Sequence, residues 1–282
     1  MRTEVVGAGG VRIGVRVEGN ETAPPIVFVH GWAQSARVWD HQFADAGLRN
    51  RFRLVALDLR GHGVSDVPGG GYDDPLVWAG DLASVLGIAG EPAIVVGWSY
   101  GGLVIADYVR VHGTAGLAGI VLVSAITEIG RGHPGGRVGP AMHAALPAAL
   151  SADLAVALPA LTEFCAAMAT REVPGPLAQA LLGTCLEVPP QVRAALFRRD
   201  VDSARVLAGI DVPTLVVHGT EDAVVDLSAG AYAAGKIPGA DTRWLPGVGH
   251  LPFIEAAGEF NATLGRFADD RPAGAGDRKV IR

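Results

Sequence analysis

The chain has 282 residues, of which 49% are hydrophobic and 18% charged, and its formal net charge is −6. This composition excludes a disordered chain and is sufficient for one large core, or a core with a modest insertion. The acidic balance and the absence of a Lys/Arg cluster argue against a nucleic-acid partner. The apolar runs are too short to span a bilayer, and the first ten residues lack the pattern of a secretion signal. We therefore expect a cytoplasmic protein with no membrane contact.

Short β-type runs alternate with helical stretches along most of the chain, a pattern typical of a mostly parallel sheet. Runs 26–29 and 94–96 are continuously apolar, as central strands covered on both faces require. The predicted strands are 11–17, 26–29, 54–59, 94–98, 120–123, 214–218 and 242–245. The predicted helices are 36–48, 76–86, 103–111, 227–234 and 253–267. The sequence thus predicts an α/β fold.

The alternation stops between residues 127 and 208, where Ala/Leu-rich stretches are interrupted by prolines. A structureless loop of that length is improbable in a compact domain, so we predict a helical cap inserted into the core. The core would then comprise residues 1–126 and 209–267. Residues 268–282 are polar and contain Gly and Pro, and we predict a flexible tail. Cys165 and Cys185 lack metal-ligand spacing and are expected to be free buried thiols.

Residues 97–102 read Gly-Trp-Ser-Tyr-Gly-Gly, directly after one predicted strand and directly before a helix. A serine hydroxyl can attack a carbonyl only if it is exposed on a tight turn, and flanking glycines provide the room for such a turn. This context predicts Ser99 as a nucleophile.

A nucleophilic serine needs a base and an acid that orients the base. His250 lies in a turn-rich loop after the strand 242–245, and Asp222 follows the strand 214–218. Loops at the C-terminal ends of parallel strands are where catalytic groups of such sheets are found. We predict His250 as the base and Asp222 as the acid, with Glu221 and Asp226 as the rival acids.

An oxyanion would need two N–H donors. The amide of Tyr100, next after Ser99, is one candidate, and the amide of Trp32 is the other, with Ala33 as the alternative. We interpret His30 as a hydrogen-bonding residue of this loop rather than as a base. The run 58–66, Asp-Leu-Arg-Gly-His-Gly-Val-Ser-Asp, is interpreted as structural rather than metal-binding.

Taken together, these motifs resemble the α/β-hydrolase superfamily over about residues 11–267. The combination of Gly-Trp-Ser-x-Gly-Gly with His-Gly-Trp at 30–32 resembles the carboxylesterase branch that includes the pimeloyl carrier-protein methyl ester esterases. The resemblance implies an eight-stranded sheet with helices on both faces, an inserted helical cap and no cofactor or metal.

These features predict a serine hydrolase that cleaves a carboxylic ester of a small to medium, largely apolar substrate through an acyl-enzyme. The alternatives on the same triad are lactone hydrolysis and cofactor-free perhydrolase or haloperoxidase activity. A ligand receptor that retains the hydrolase fold is the alternative from another class. Four apolar positions of the cap are predicted to select the acyl length if they line the pocket: Leu158, Leu161, Phe164 and Met168.

Overall fold

One sheet organises the protein in the computed structural model, which describes residues 1–90 and 92–270. Its strands are β1 (Arg2–Val6), β2 (Arg12–Gly19), β3 (Pro25–Val29), β4 (Arg53–Leu57), β5 (Ala93–Trp98), β6 (Leu117–Val123), β7 (Thr214–Gly219) and β8 (Asp241–Leu245). They lie in the order β1-β2-β4-β3-β5-β6-β7-β8. Strands β1 and β2 pair antiparallel, as do β2 and β4, and the remaining pairs are parallel. The predicted fold class is confirmed.

The central strands are those that the apolar runs indicated. Every residue of β5 is buried, and so is every residue of β3 after Pro25. The edge strand β1 was not predicted from its own residues. It contains Arg2 and Glu4 and has no fully buried residue, so it lacks the apolar signal of a core strand.

The helices lie on the two faces of the sheet and in the segment 127–208. They are α1 (Asp40–Ala44), α2 (Ala46–Arg51), α3 (Pro75–Ala89), α4 (Tyr100–His112), α5 (Pro140–Ala149), α6 (Leu154–Ala167), α7 (Gly175–Glu187), α8 (Pro190–Ala195), α9 (Ala204–Ala208), α10 (Leu227–Lys236), α11 (Pro252–Glu255) and α12 (Ala257–Asp269).

Two predictions of single helices were wrong. The region 36–48 forms a short 3₁₀ helix followed by α1 and α2, because Asp45 adopts an extended conformation and its side chain caps α2 at the amide of Leu48. The region 253–267 is divided at Ala256, whose φ of −127° and ψ of 41° interrupt the helix between α11 and α12.

Residues 127–208, called the helical segment below, contain the five helices α5 to α9. In α6 the positions Leu161 and Phe164, and Met168 just after it, are buried, whereas Leu158 is 38% exposed. The role of these four positions as pocket lining stays a prediction, and the helical repeat places Leu158 on the same side of α6 as Leu161.

The C-terminal end of the core lies slightly later than predicted. Helix α12 continues to Asp269, whereas the predicted tail starts at 268, and residues 271–282 of that tail lie outside the described residues. Within the described part of the chain, no helix is both long and apolar enough to cross a bilayer. Cys165 and Cys185 are free and buried, with their sulfur atoms 3.7 Å apart.

Candidate active site

Ser99 occupies the turn between β5 and α4. Its φ of 54° and ψ of −119° lie in a region that residues other than glycine rarely adopt. Hydrogen bonds with the end of β6 and the residues just after it fix this turn. The Ser99 amide donates to the Val123 carbonyl at 3.0 Å, and the Ile126 amide donates to the Ser99 carbonyl at 3.2 Å. The end of β6 therefore holds the serine in its strained conformation.

Three glycines permit the backbone to pass close to this turn. A Cβ at Gly101 would lie 2.4 Å from the carbonyl oxygen of Val29, and one at Gly97 would lie 2.7 Å from the carbonyl oxygen of Gly101. A Cβ at Gly31 would lie 2.8 Å from Cβ of Ser99. The loop after β3 is thus in direct contact with the serine.

The structure brings Asp222 and His250 together. Asp222 follows β7 and His250 follows β8, and Oδ2 of Asp222 lies 2.8 Å from Nδ1 of His250. The second carboxylate oxygen, Oδ1, accepts the amides of Val224 and Val225, each at 2.9 Å. The carboxylate is held in one orientation by its own turn.

Asp222 stays ionised in this environment. Burial by itself raises the pKa of Asp222, but the charge of His250 and the hydrogen bonds from His218 and His250 outweigh it and hold that pKa below its usual range. An ionised carboxylate can only accept, so Nδ1 of His250 donates the hydrogen, and in the neutral imidazole Nε2 is then the nitrogen with the free lone pair. This is the tautomer that a general base requires.

The two rival acids lie elsewhere. Asp226 caps α10, with its side chain accepting the amide of Ser228 at 2.9 Å. Glu221 is exposed, and its carboxylate lies 3.4 Å from the hydroxyl of Thr220. Of the three candidate acids, Asp222 is the one that contacts His250.

His218 is a second imidazole on the same carboxylate and was missed from the sequence. Its Nε2 lies 3.2 Å from Oδ2 of Asp222 and 3.1 Å from the carbonyl oxygen of Val225. Both neighbours are acceptors, so Nε2 carries the hydrogen. The available signal was the spacing of four residues between His218 and Asp222 at the end of a strand.

Two backbone contacts hold His250 from opposite sides. The indole N–H of Trp98, the residue before Ser99, donates to the His250 carbonyl at 2.9 Å, and the two rings have centroids 5.1 Å apart. The His250 amide donates to the carbonyl of Met168 at 2.7 Å. Met168 belongs to the helical segment, so this segment contacts the predicted base directly.

The predicted oxyanion donors belong to the residue after Ser99 and to the loop after β3. Tyr100 is the first residue of α4, where a backbone N–H has no partner within the helix. Within the described residues, the amides of Tyr100 and Trp32 donate to no other group. The Trp32 side chain is anchored by a 3.0 Å hydrogen bond to the Arg193 carbonyl, and the rings of Phe164 and Phe197 pack edge-on against it.

His30 and the run 58–66 have the structural contacts expected of them. His30 bonds to the Gly31 carbonyl through Nδ1 and accepts the Leu59 amide through Nε2, and burial lowers the pKa of His30 to about 4. Asp58 accepts the amides of Ala36 and Val64. These bonds tie the loops after β3 and β4 to each other.

A family model described as the alpha/beta hydrolase family matches residues 26–263. A solved esterase from Rhodococcus sp. ECU1013 is 45% identical, with a TM-score of 0.90, and the match covers 96% of this chain and 99% of that one. A non-heme chloroperoxidase from Streptomyces lividans is 31% identical over 83% of this chain and 87% of its own. A pimeloyl-[acyl-carrier protein] methyl ester esterase from Vibrio parahaemolyticus is 27% identical over 88% and 95% of the two chains.

The chain belongs to the alpha/beta hydrolase family. The resemblance drawn from its motifs is confirmed, and so is the predicted class of enzyme, a carboxylic ester hydrolase.

Proposed function

We propose that the protein hydrolyses a small-molecule carboxylic ester through an acyl-enzyme formed on Ser99. His250 takes the proton of the Ser99 hydroxyl through Nε2 as the oxygen attacks the ester carbonyl. Asp222 remains ionised and orients the imidazole. The leaving alcohol receives the proton from His250, and a water molecule, activated by the same imidazole, then releases the acid and regenerates the serine.

The negative charge that develops on the carbonyl oxygen would be stabilised by the amides of Trp32 and Tyr100. Donors fixed before the reaction stabilise such a charge without reorganisation, and removing one typically lowers kcat by about 10²–10³-fold. Two features of the fold support this assignment: the N-terminus of α4 at Tyr100, and the contact of Gly31 with Ser99.

The observation that carries the proposal is the 2.8 Å contact between His250 Nδ1 and Asp222 Oδ2. In the neutral imidazole it leaves Nε2 as the nitrogen with the free lone pair, and the His250 backbone is tied to Trp98, the neighbour of Ser99.

We further propose that the helical segment acts as a cap over this site. Phe164 and Phe197 pack against Trp32, so the segment supplies apolar side chains next to the loop that holds one oxyanion donor. A substrate with an apolar acyl or alkyl part of small to medium size fits such surroundings.

Purified protein assayed with p-nitrophenyl esters and lactones of graded acyl length tests the proposal. We expect turnover of esters and covalent labelling of Ser99 by a fluorophosphonate probe, located by peptide mass mapping. Labelling without turnover of any ester or lactone would instead support a ligand receptor that retains the fold.

Perhydrolysis is the second candidate, favoured by the likeness to the chloroperoxidase. Hydrogen peroxide would replace water as the nucleophile that attacks the acyl-enzyme, giving a peracid and free Ser99. Assays with and without peroxide in the same ester mixture measure how the acyl group divides between peracid and acid.

A further inference from the structure

Glu255, the last residue of α11, forms hydrogen bonds with the backbone on both sides of the predicted base. Its Oε1 accepts the amide of Gly249 at 3.0 Å and that of Leu251 at 3.3 Å, the residues on either side of His250. One carboxylate oxygen therefore fixes the backbone both before and after the imidazole. Nothing in the sequence analysis singled out this residue.

The other oxygen of the same carboxylate binds the helical segment. Oε2 of Glu255 accepts the amide of Thr170 at 2.8 Å and its hydroxyl at 2.9 Å. The Thr170 hydroxyl oxygen also lies 2.9 Å from the carbonyl oxygen of Gly247, so its single hydrogen is shared between these two acceptors. Two residues earlier, Met168 accepts the amide of His250.

The packing at this junction is close as well as polar. A Cβ at Gly249 would lie 2.9 Å from the Met168 carbonyl oxygen, 3.0 Å from Oε1 of Glu255 and 3.2 Å from the Thr170 amide nitrogen. At Gly249, next to the predicted base, the loop is thus in close contact with both residues 168–170 and Glu255.

We propose that Glu255 is a positioning residue for the reaction, acting through His250, and that through Thr170 it makes the placement of His250 depend on the helical segment. The proposal rests on the hydrolytic function proposed above. A carboxylate suits this role because it accepts three backbone amides and shares the Thr170 hydroxyl hydrogen, from two chain segments at once, and charged acceptors form the stronger bonds. Displacing a catalytic group by about 1 Å can lower the rate by about 100-fold.

The test compares Glu255→Ala and Glu255→Gln with the matched changes Glu259→Ala and Glu259→Gln. Glu259 lies on α12, four residues further along, and pairs at the surface with Arg243. Rates are expressed per active site titrated with a fluorophosphonate, and each variant's melting temperature is recorded. Wild-type turnover is measured first, so that failure of the proposed function is recognised separately.

We expect Glu255→Ala to lower kcat by about 10- to 100-fold while KM changes less than about twofold. Glu255→Gln should recover part of this loss, because its amide oxygen can still accept the amides of Gly249 and Leu251. Both Glu259 variants should match the wild type. An unchanged kcat per titrated site in both Glu255 variants, with only a lower melting temperature, would show a merely structural residue and overturn the proposal.

Thr170→Val tests the link to the helical segment and keeps the fold largely intact. It removes the hydroxyl bonds to Glu255 and Gly247 but retains the Thr170 amide. We expect a smaller fall in kcat than for Glu255→Ala, and a double variant whose loss is less than the product of the two single losses. Multiplicative losses would show that Glu255 acts independently of the segment and would remove that half of the proposal.

Discussion

Asp107 and Arg199 form a fully buried ion pair, with a carboxylate oxygen and a guanidinium nitrogen 2.7 Å apart. Asp107 lies on α4, the helix that begins next to Ser99, and Arg199 lies in the helical segment. Arg199 also donates to the hydroxyl of Tyr100 at 3.1 Å. The pair therefore joins the segment to the helix that carries the predicted oxyanion donor.

Asp107→Asn should remove a pH-dependent part of the protein's stability, because the amide that replaces the carboxyl does not titrate. Burial raises the pKa of Asp107 to about 6, although Arg199 opposes this. The folded state then binds this proton more tightly than the unfolded chain, where aspartate titrates near about 3.9. The resulting stabilisation is complete below about pH 4 and is lost as the pH rises through about 6.

Urea unfolding of the wild type and Asp107→Asn from pH 4 to 8 measures this contribution. The variant should lack the decline in the free energy of unfolding between about pH 4 and pH 6 that Asp107 contributes. Glu259→Gln, which breaks an exposed pair, should cost less than about 1 kcal/mol and should keep that decline. An Asp107→Asn protein that kept the wild-type decline would contradict this account of Asp107.

Gly31→Ala should impair catalysis more than folding. The new Cβ would lie 2.8 Å from Cβ of Ser99 and 3.2 Å from the Trp98 ring, and the strained serine backbone cannot yield easily. We expect kcat to fall by about 100-fold through displacement of the nucleophile. Gly69→Ala is the control, since a Cβ there meets no atom within 4 Å. Equal kcat values for the two variants would show that the contact at Gly31 is unimportant.

Asp222→Asn should lower kcat by about 10⁴-fold, because the imidazole loses its ionised partner and the correct tautomer. Asp226→Asn, which alters only the cap of α10, should change kcat little. Steady-state kinetics of both variants with one ester decide whether Asp222 or Asp226 is the acid that orients His250. A large loss in Asp226→Asn with tolerance of Asp222→Asn would transfer the acid role.

The sequence predicted the parts of the fold and site that depend on local patterns. The apolar runs located the central strands, and the strand-turn-helix context located Ser99. The breaks at Asp45 and Ala256 were missed because apolar periodicity continues across them while the backbone dihedrals do not. Contacts such as Glu255 with Thr170, or His250 with Met168, join residues about 80 positions apart and leave no spacing pattern. Ser99, Asp222 and His250 all lie outside residues 127–208, yet the backbone of His250 is bonded to Met168 of the helical segment.

The helical segment should determine which ester is preferred. Leu161→Ala and Phe164→Ala shorten buried side chains, and Phe164 packs against Trp32. If these side chains line the acyl pocket, the substitutions enlarge it and should shift the preferred acyl length. Each methylene is worth about 1–3 kcal/mol of discrimination. Leu154→Ala, at a position of the same helix that is 59% exposed, is the control and should leave the profile unchanged.

The readout is kcat/KM across the ester panel beside the melting temperature, because truncating a buried Leu or Phe typically costs about 2–5 kcal/mol of stability. Folded Leu161→Ala and Phe164→Ala proteins with the wild-type chain-length profile would remove the support for the segment as selector.

Ester hydrolysis by Ser99→Ala, compared with the wild type at equal concentration of folded protein, decides whether Ser99 is the nucleophile. Loss of the nucleophile in such an enzyme lowers kcat by about 10⁶-fold, and the variant should also resist fluorophosphonate labelling. We predict a folded, unlabelled protein with almost no turnover. A folded Ser99→Ala protein that retained a tenth of the wild-type activity would contradict it.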